Sequence, residues 1–213
     1  MDIGNYRDIA PYWGEDFDKA KQRLLDNREY LVSFLSVLAG NDDPERAKAY
    51  LDGVFAGLSK SNSYPDFHTM VTAGVLIPTV IGRTMTSFTT SGAENLDAGK
   101  GYLFISNHRD IIMDCALLDY ALLMAKKPLC EMAFGDNLIL NQFVEDLFRM
   151  NGGVIVKREL PMKEKYLESR RLSQYFFELI TEAHRSIWIA QKSGRSKDGI
   201  DETHPSIIKM LFL

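Results

Sequence analysis

The chain has 213 residues, 46% of them hydrophobic and 25% charged, which is enough apolar material for one large core and excludes a disordered or low-complexity protein. Its net charge of -4 excludes a partner held by bulk positive charge, such as duplex nucleic acid. The two cysteines, Cys115 and Cys130, form no CxxC pair and have no histidine cluster beside them, which argues against a disulfide framework or structural metal site and fits a reducing compartment.

The N-terminus, MDIGNYRDIAPYWGEDF, carries acids where a signal peptide would have basic residues and an apolar stretch, so export by that route is not expected. Phe17, Leu24, Leu25, Leu31, Phe34, Leu35 and Leu38 recur at helical spacing and predict one helix over 15–39, with Gly40 as its stop. Pro44 opens a second helix over 44–59, with Tyr50, Leu51, Val54, Phe55 and Leu58 on one side. Residues 1–65 are thus expected to be an N-terminal helical region. Residues 66–90 mix β-branched with helix-compatible residues and leave the element type open. The longest nearly apolar stretch, Met70 to Gly82, is broken by Thr72, Pro78 and Thr79 and is too short to span a bilayer, so membrane contact is expected to be peripheral.

From Gly101 short apolar runs alternate with helical patterns, the rhythm of a parallel sheet with crossover helices. Strands are predicted at Tyr102–Ser106, Leu129–Ala133, Val154–Lys157 and Ser186–Ala190, with helices over 111–125, 138–150 and 163–184 between them. The predicted fold is therefore α/β, a mostly parallel central sheet flanked by helices over 66–213, preceded by the helical region. The last residues, SIIKMLFL, stop inside an apolar run, so this domain is expected to be truncated at its C-terminus.

Functional loops in such sheets gather where strands end, and SNHRD, VKRE and AQKSGRSKDG each follow a predicted strand. His108 is a plausible acid-base group, because imidazole titrates near neutrality and a carboxylate on one nitrogen sets its tautomer. The plainer reading is that Asn107 and Asp110 cap the next helix beside an exposed histidine. HRD does not make a kinase loop, since the Asn required five residues after the Asp is Cys115, and no Walker phosphate loop occurs. Cys115 has no basic neighbour to activate it and is read as packing. His184 and His204 lack partners at ligand spacing, and His68 is read as a surface turn residue.

Three blocks together resemble the phospholipid and glycerol acyltransferases, including the glycerol-3-phosphate and lysophosphatidate acyltransferases. That family carries Asn-His, four residues and Asp, then Gly-x-Ile-Phe-Ile-x-Arg, then Glu-Gly-Thr-Arg-Ser. Here stand NHRDIIMD, GGVIVKR at Gly152 to Arg158, and KSGRSKDG at Lys192 to Gly199. GDN at Gly135 to Asn137 and IAQ at Ile189 to Gln191 are similar to a soluble bacterial branch. The resemblance covers roughly residues 90–213. Two features depart from it: five residues separate His108 from Asp114, a shift of roughly 100° on a regular helix unless a longer entry loop absorbs it, and Lys192 or Ser193 stands where the family has Glu.

The resemblance implies acyl transfer from a thioester of coenzyme A or acyl carrier protein to the hydroxyl of a glycerol-phosphate or lysophospholipid acceptor, at the cytoplasmic face of the membrane and with no separate cofactor or metal. His108 would be the general base and Asp114 its partner, with Asp110 as competitor. Arg158 and Arg195, with Lys157, Asn107 and Gly194, would bind the substrate, since guanidinium forks match phosphate oxygens and a glycine loop offers backbone N–H groups. Lys163, Lys165, Arg170 and Arg171 read as a solvated helix face. The alternative, raised by the missing Glu, is a protein that binds lipid or acyl chains with little or no catalysis.

Overall fold

The computed structural model describes residues 1–39, 43–192, 194–198 and 202–212; the expected stop at Gly40 and the positions Ser193 and Gly199 lie outside the described residues. The first predicted helix is two helices. α1 (Glu15–Asp26) buries Phe17, Ala20 and Leu24 and stops at Asn27, whose backbone N–H and side-chain amide both donate to the Arg23 carbonyl, at 3.1 and 2.9 Å. A side chain that competes for a terminal carbonyl offers the backbone an alternative to continuing, and α2 (Arg28–Ala39) restarts on the Asn27 carbonyl. α3 (Pro44–Lys60) begins where expected. Asp43 Oδ1 accepts from the N–H groups of Glu45 and Arg46, and Pro44 has no N–H to orphan.

The segment of open type is helical as far as Thr84. α4 (Tyr64–Phe67) leads into a π-helical stretch, His68–Leu76, and then α5 (Ile77–Thr84). Gly57 lets α3 lie against this stretch, since a Cβ there would stand 2.9 Å from a methyl of Val71. The reading of His68 as a surface residue is corrected: it is 1% exposed, and its Nε2 lies 2.8 Å from Oδ2 of Asp119, in an orientation that makes no hydrogen bond.

The α/β part runs β1 (Leu103–Ser106), α6 (Met113–Met124), β2 (Cys130–Gly135), α7 (Gln142–Met150), β3 (Gly153–Val156), α8 (Met162–Thr181), β4 (Ser186–Ala190) and α9 (Pro205–Leu211). All strand pairs are parallel, in the order β1-β4-β2-β3. A parallel sheet needs helices on both faces because its crossovers must return to the same end. Cys115 and Leu122 of α6 pack on Cys130, Met132 and Trp188 from one side. Tyr175, Phe176 and Leu179 of α8 pack on Ala133, Val154, Ile187 and Ile189 from the other.

A third cluster joins the N-terminal helices to α7, with Phe17, Leu24, Leu58 and Phe67 packed together with Met150. The free edge of β3 is covered by the N-terminal segment, where Ile155 donates its N–H to the carbonyl of Ile9 at 2.9 Å. Asp8 anchors that segment by accepting from both Lys157 and Arg171, which pull its carboxyl far below the usual range, Arg171 most. Arg171 is therefore not part of a solvated face. Among the described residues no helix is long and apolar enough to cross a membrane.

Candidate functional site

Because the four strands are parallel, the loops that follow them all open at one edge of the sheet. The loop after β1 holds the histidine. His108 Nδ1 lies 2.9 Å from Asp114 Oδ2, and the same oxygen accepts the backbone N–H groups of Arg109 at 2.7 Å and Asp110 at 3.1 Å. α6 starts at Met113 and not at Ile111, so the fifth intervening residue is spent in the non-helical entry loop and Asp114 enters in the first helical turn. The carboxylate is thus held from three directions.

Asp110 does different work. Its Oδ1 accepts from the N–H groups of Ile112 and Met113, each at 2.9 Å, and these bonds hold its carboxyl below the ordinary range, Met113 first, with Arg195 and His108 adding smaller pulls. One aspartate caps the helix entry and the other meets the imidazole. Asn107 is exposed and accepts from Ser106 Oγ through its backbone carbonyl at 2.8 Å.

The His108 and Asp114 side chains are 15% and 16% exposed, so the pair is largely shielded but still reachable from solvent. A carboxylate on Nδ1 favours the tautomer protonated there, which leaves Nε2 as a proton acceptor; among the described residues Nε2 has no protein partner. The ring stands edge-on to Trp188 of β4, with centroids 6.2 Å apart, and Trp188 Nε1 donates to Ser106 Oγ at 2.9 Å. Sequence reasoning did not single out Trp188. It reads as a strand residue, and only the pairing of β4 with β1 brings it to the histidine.

The loop after β4 is joined directly to this one, since Ser196 donates its N–H to the His108 carbonyl at 2.7 Å. Arg195 is close enough to act on Asp110. Gly194 adopts φ +79°, a conformation that strains any residue with a Cβ although the space around it is open. Arg158 follows β3, three strands from β1, or about 14 Å at ordinary strand spacing. Its guanidinium lies over the end of β2: a Cβ on Gly135 would be 2.3 Å from Arg158 Nε and 2.4 Å from Asn137 Oδ1. That shortens the separation from β1 to about two strand spacings, roughly 10 Å.

Lys157 is turned elsewhere, with Nζ 2.6 Å from Asp8 and 3.6 Å from Glu168; the structure does not bring it to the histidine. Cys115 is buried, its thiol pushed up by burial and its Sγ donating to the Ile112 carbonyl at 3.2 Å, consistent with packing. Among the described residues no three His, Cys, Asp or Glu side chains gather as metal ligands. A protein-family model described as acyltransferase matches residues 87–205, which include the loops after all four strands. No curated protein matches the chain.

Proposed function

The chain belongs to the acyltransferase family, matched over more than half its length, and from that membership we propose that it transfers a fatty acyl group from a thioester of coenzyme A or acyl carrier protein to the hydroxyl of a glycerol-phosphate or lysophospholipid acceptor. In this reading Nε2 of His108 takes the proton of the acceptor hydroxyl as its oxygen attacks the thioester carbonyl. The tetrahedral adduct collapses, the C–S bond breaks, and the imidazolium returns the proton to the departing thiolate. Asp114 stabilises the imidazolium between these events, and Arg109 and Asp110 keep that carboxylate in place through their N–H groups. No acyl-enzyme is needed.

The observation that carries the proposal is the 2.9 Å contact between His108 Nδ1 and an Asp114 oxygen that two backbone N–H groups already fix. Arg158 and Arg195, on the same sheet edge, suit the acceptor's phosphate, with Asn107 and the Gly194 turn beside it; Lys157, held by Asp8 and Glu168, takes no part. The reaction would take place with the protein resting on the cytoplasmic face of a membrane. Incubation with acyl-coenzyme A and acyl carrier protein thioesters and a panel of glycerol-phosphate and lysophospholipid acceptors should release thiol only when an acceptor is present. Bound lipid without thiol release from any pair would favour the lipid-binding alternative that Lys192 or Ser193, at the place of the family's Glu, also suggests.

A second test concerns Arg158. Gly135→Ala would place a methyl where the guanidinium now lies, so Arg158 must leave the end of β2. The KM for a phosphate-bearing acceptor should rise roughly tenfold, about the weight of one charge-assisted hydrogen bond, while kcat changes little. Steady-state kinetics with glycerol 3-phosphate reads this directly, and an unchanged KM would remove Arg158 from the acceptor site.

A further inference from the structure

Between the first turns of α8 and the short helix α9 lies a concavity of about 250 Å³ lined by Met162, Lys165, Tyr166, Ser169, Ser206, Lys209 and Met210. Its character is set by helical spacing. At about 100° per residue, Met162, Lys165, Tyr166 and Ser169 share one side of α8, while Glu164 and Glu168 fall on another, where Glu168 is engaged with Lys157 and Arg171. Met210 forms the buried floor, whereas Met162 is 90% and Tyr166 54% exposed.

The two lysines stand on opposite walls, and neither has an ion-pair partner among the described residues. They differ in this from the cations that hold the fold together. Lys157, Arg171, Arg23 and Arg149 are all paired with carboxylates. Lys165 also sits near the N-terminus of α8, where the helix dipole is positive and disfavours a cation. An exposed Met and Tyr thus stand between two ammonium groups that no carboxylate among the described residues neutralises.

A chain of net charge -4 is repelled by an anionic bilayer unless it presents a local patch of opposite sign with apolar groups to insert. The groove is such a patch, and it begins a few residues after Arg158, next to the sheet edge that holds His108. We propose that the α8-α9 groove docks the protein on an anionic lipid surface, with Met162 and Tyr166 entering the interface and Lys165 and Lys209 meeting lipid phosphates. The inference extends the acyl-transfer reading by naming the surface that would present its acceptor, but the docking itself does not depend on catalysis.

The test is sedimentation of the full chain with phosphatidylcholine vesicles, with and without phosphatidylglycerol. The wild type is expected to bind only the anionic vesicles. Lys165→Ala/Lys209→Ala should weaken that binding about thirtyfold, from two lysines near a charged surface, and Met162→Asp should abolish it, with circular dichroism spectra unchanged. Turnover of a water-soluble acceptor should be the same in the lysine variant as in the wild type, while turnover of a vesicle-borne acceptor falls. Wild-type indifference to anionic vesicles, or a lysine variant that binds them as tightly, would overturn the proposal. So would protection of the lysines by inorganic phosphate without vesicle binding. A protein that docks but turns over no acceptor would leave the docking standing and remove the acyl-transfer reading instead.

Discussion

His108→Ala is expected to lower kcat for acyl transfer by about a thousandfold, the middle of the range for a positioned general base, with a normal circular dichroism spectrum because the side chain only borders the core. The two neighbouring aspartates should separate cleanly. Asp114→Asn removes the charge that stabilises the imidazolium and should cost about a hundredfold in kcat. Asp110→Ala removes an acceptor for the N–H groups of Ile112 and Met113 and should lower stability by about 1 kcal/mol, the usual weight of a cap, with a far smaller effect on kcat. Single-turnover acylation paired with urea titration distinguishes the two. If Asp110→Ala proved the more damaging to chemistry, the assignment of roles would have to be exchanged.

Glu131→Ala is expected to be the most destabilising single change away from the candidate site. Glu131 is 1% exposed at the start of β2. Its carboxylate accepts from Tyr64 at 2.8 Å and from Tyr175, and it lies 3.0 Å from Arg185. Removing it takes the acceptor from two buried tyrosine O–H groups and the carboxylate from a guanidinium that is only 24% exposed, which keeps its bond to the Tyr64 oxygen. Loss of one partner from such a cluster costs about 3 kcal/mol, which for a chain of this size lowers Tm by about 10 °C, measurable by calorimetry.

Burial raises the Glu131 carboxyl above its ordinary value, with Arg185 and the two tyrosines opposing it. A raised native value means that the folded state holds this proton more tightly than the unfolded state does. Its contribution to stability is therefore fully present below the unfolded value and is lost as pH rises through the folded one. The stability difference between the wild type and the non-titrating variant Glu131→Gln should accordingly narrow from pH 4 to pH 7 in urea titrations. A difference that widened would reverse the sign assigned to this group.

The residues by themselves determined the architecture, because hydrophobic spacing is a local record of which face is buried. Apolar runs at strand length marked all four strands, β4 to the residue, and Pro44 marked the start of α3. They did not mark the break at Asn27, where a side-chain amide shares the Arg23 carbonyl with its own backbone N–H. Nor did they settle the stretch after Phe67, whose composition suits strand or helix until α3 packs against it. His68 looked like a turn residue because its partner, Asp119, is distant in sequence.

For the candidate site, the sequence named the three loops and the chemistry their side chains can do. Tertiary structure alone decided how they meet. The strand order set β4 beside β1, bringing Trp188 and the Arg195 loop to His108; the late start of α6 chose Asp114 over Asp110 as the imidazole's partner; the covering of the β3 edge drew Lys157 to Asp8; and Gly135 left room for Arg158 to lie over β2. The reason is the same in each case: spacing along the chain encodes which side of its own element a residue occupies, whereas strand order and loop path depend on the packing of elements far apart in sequence, which no local pattern carries.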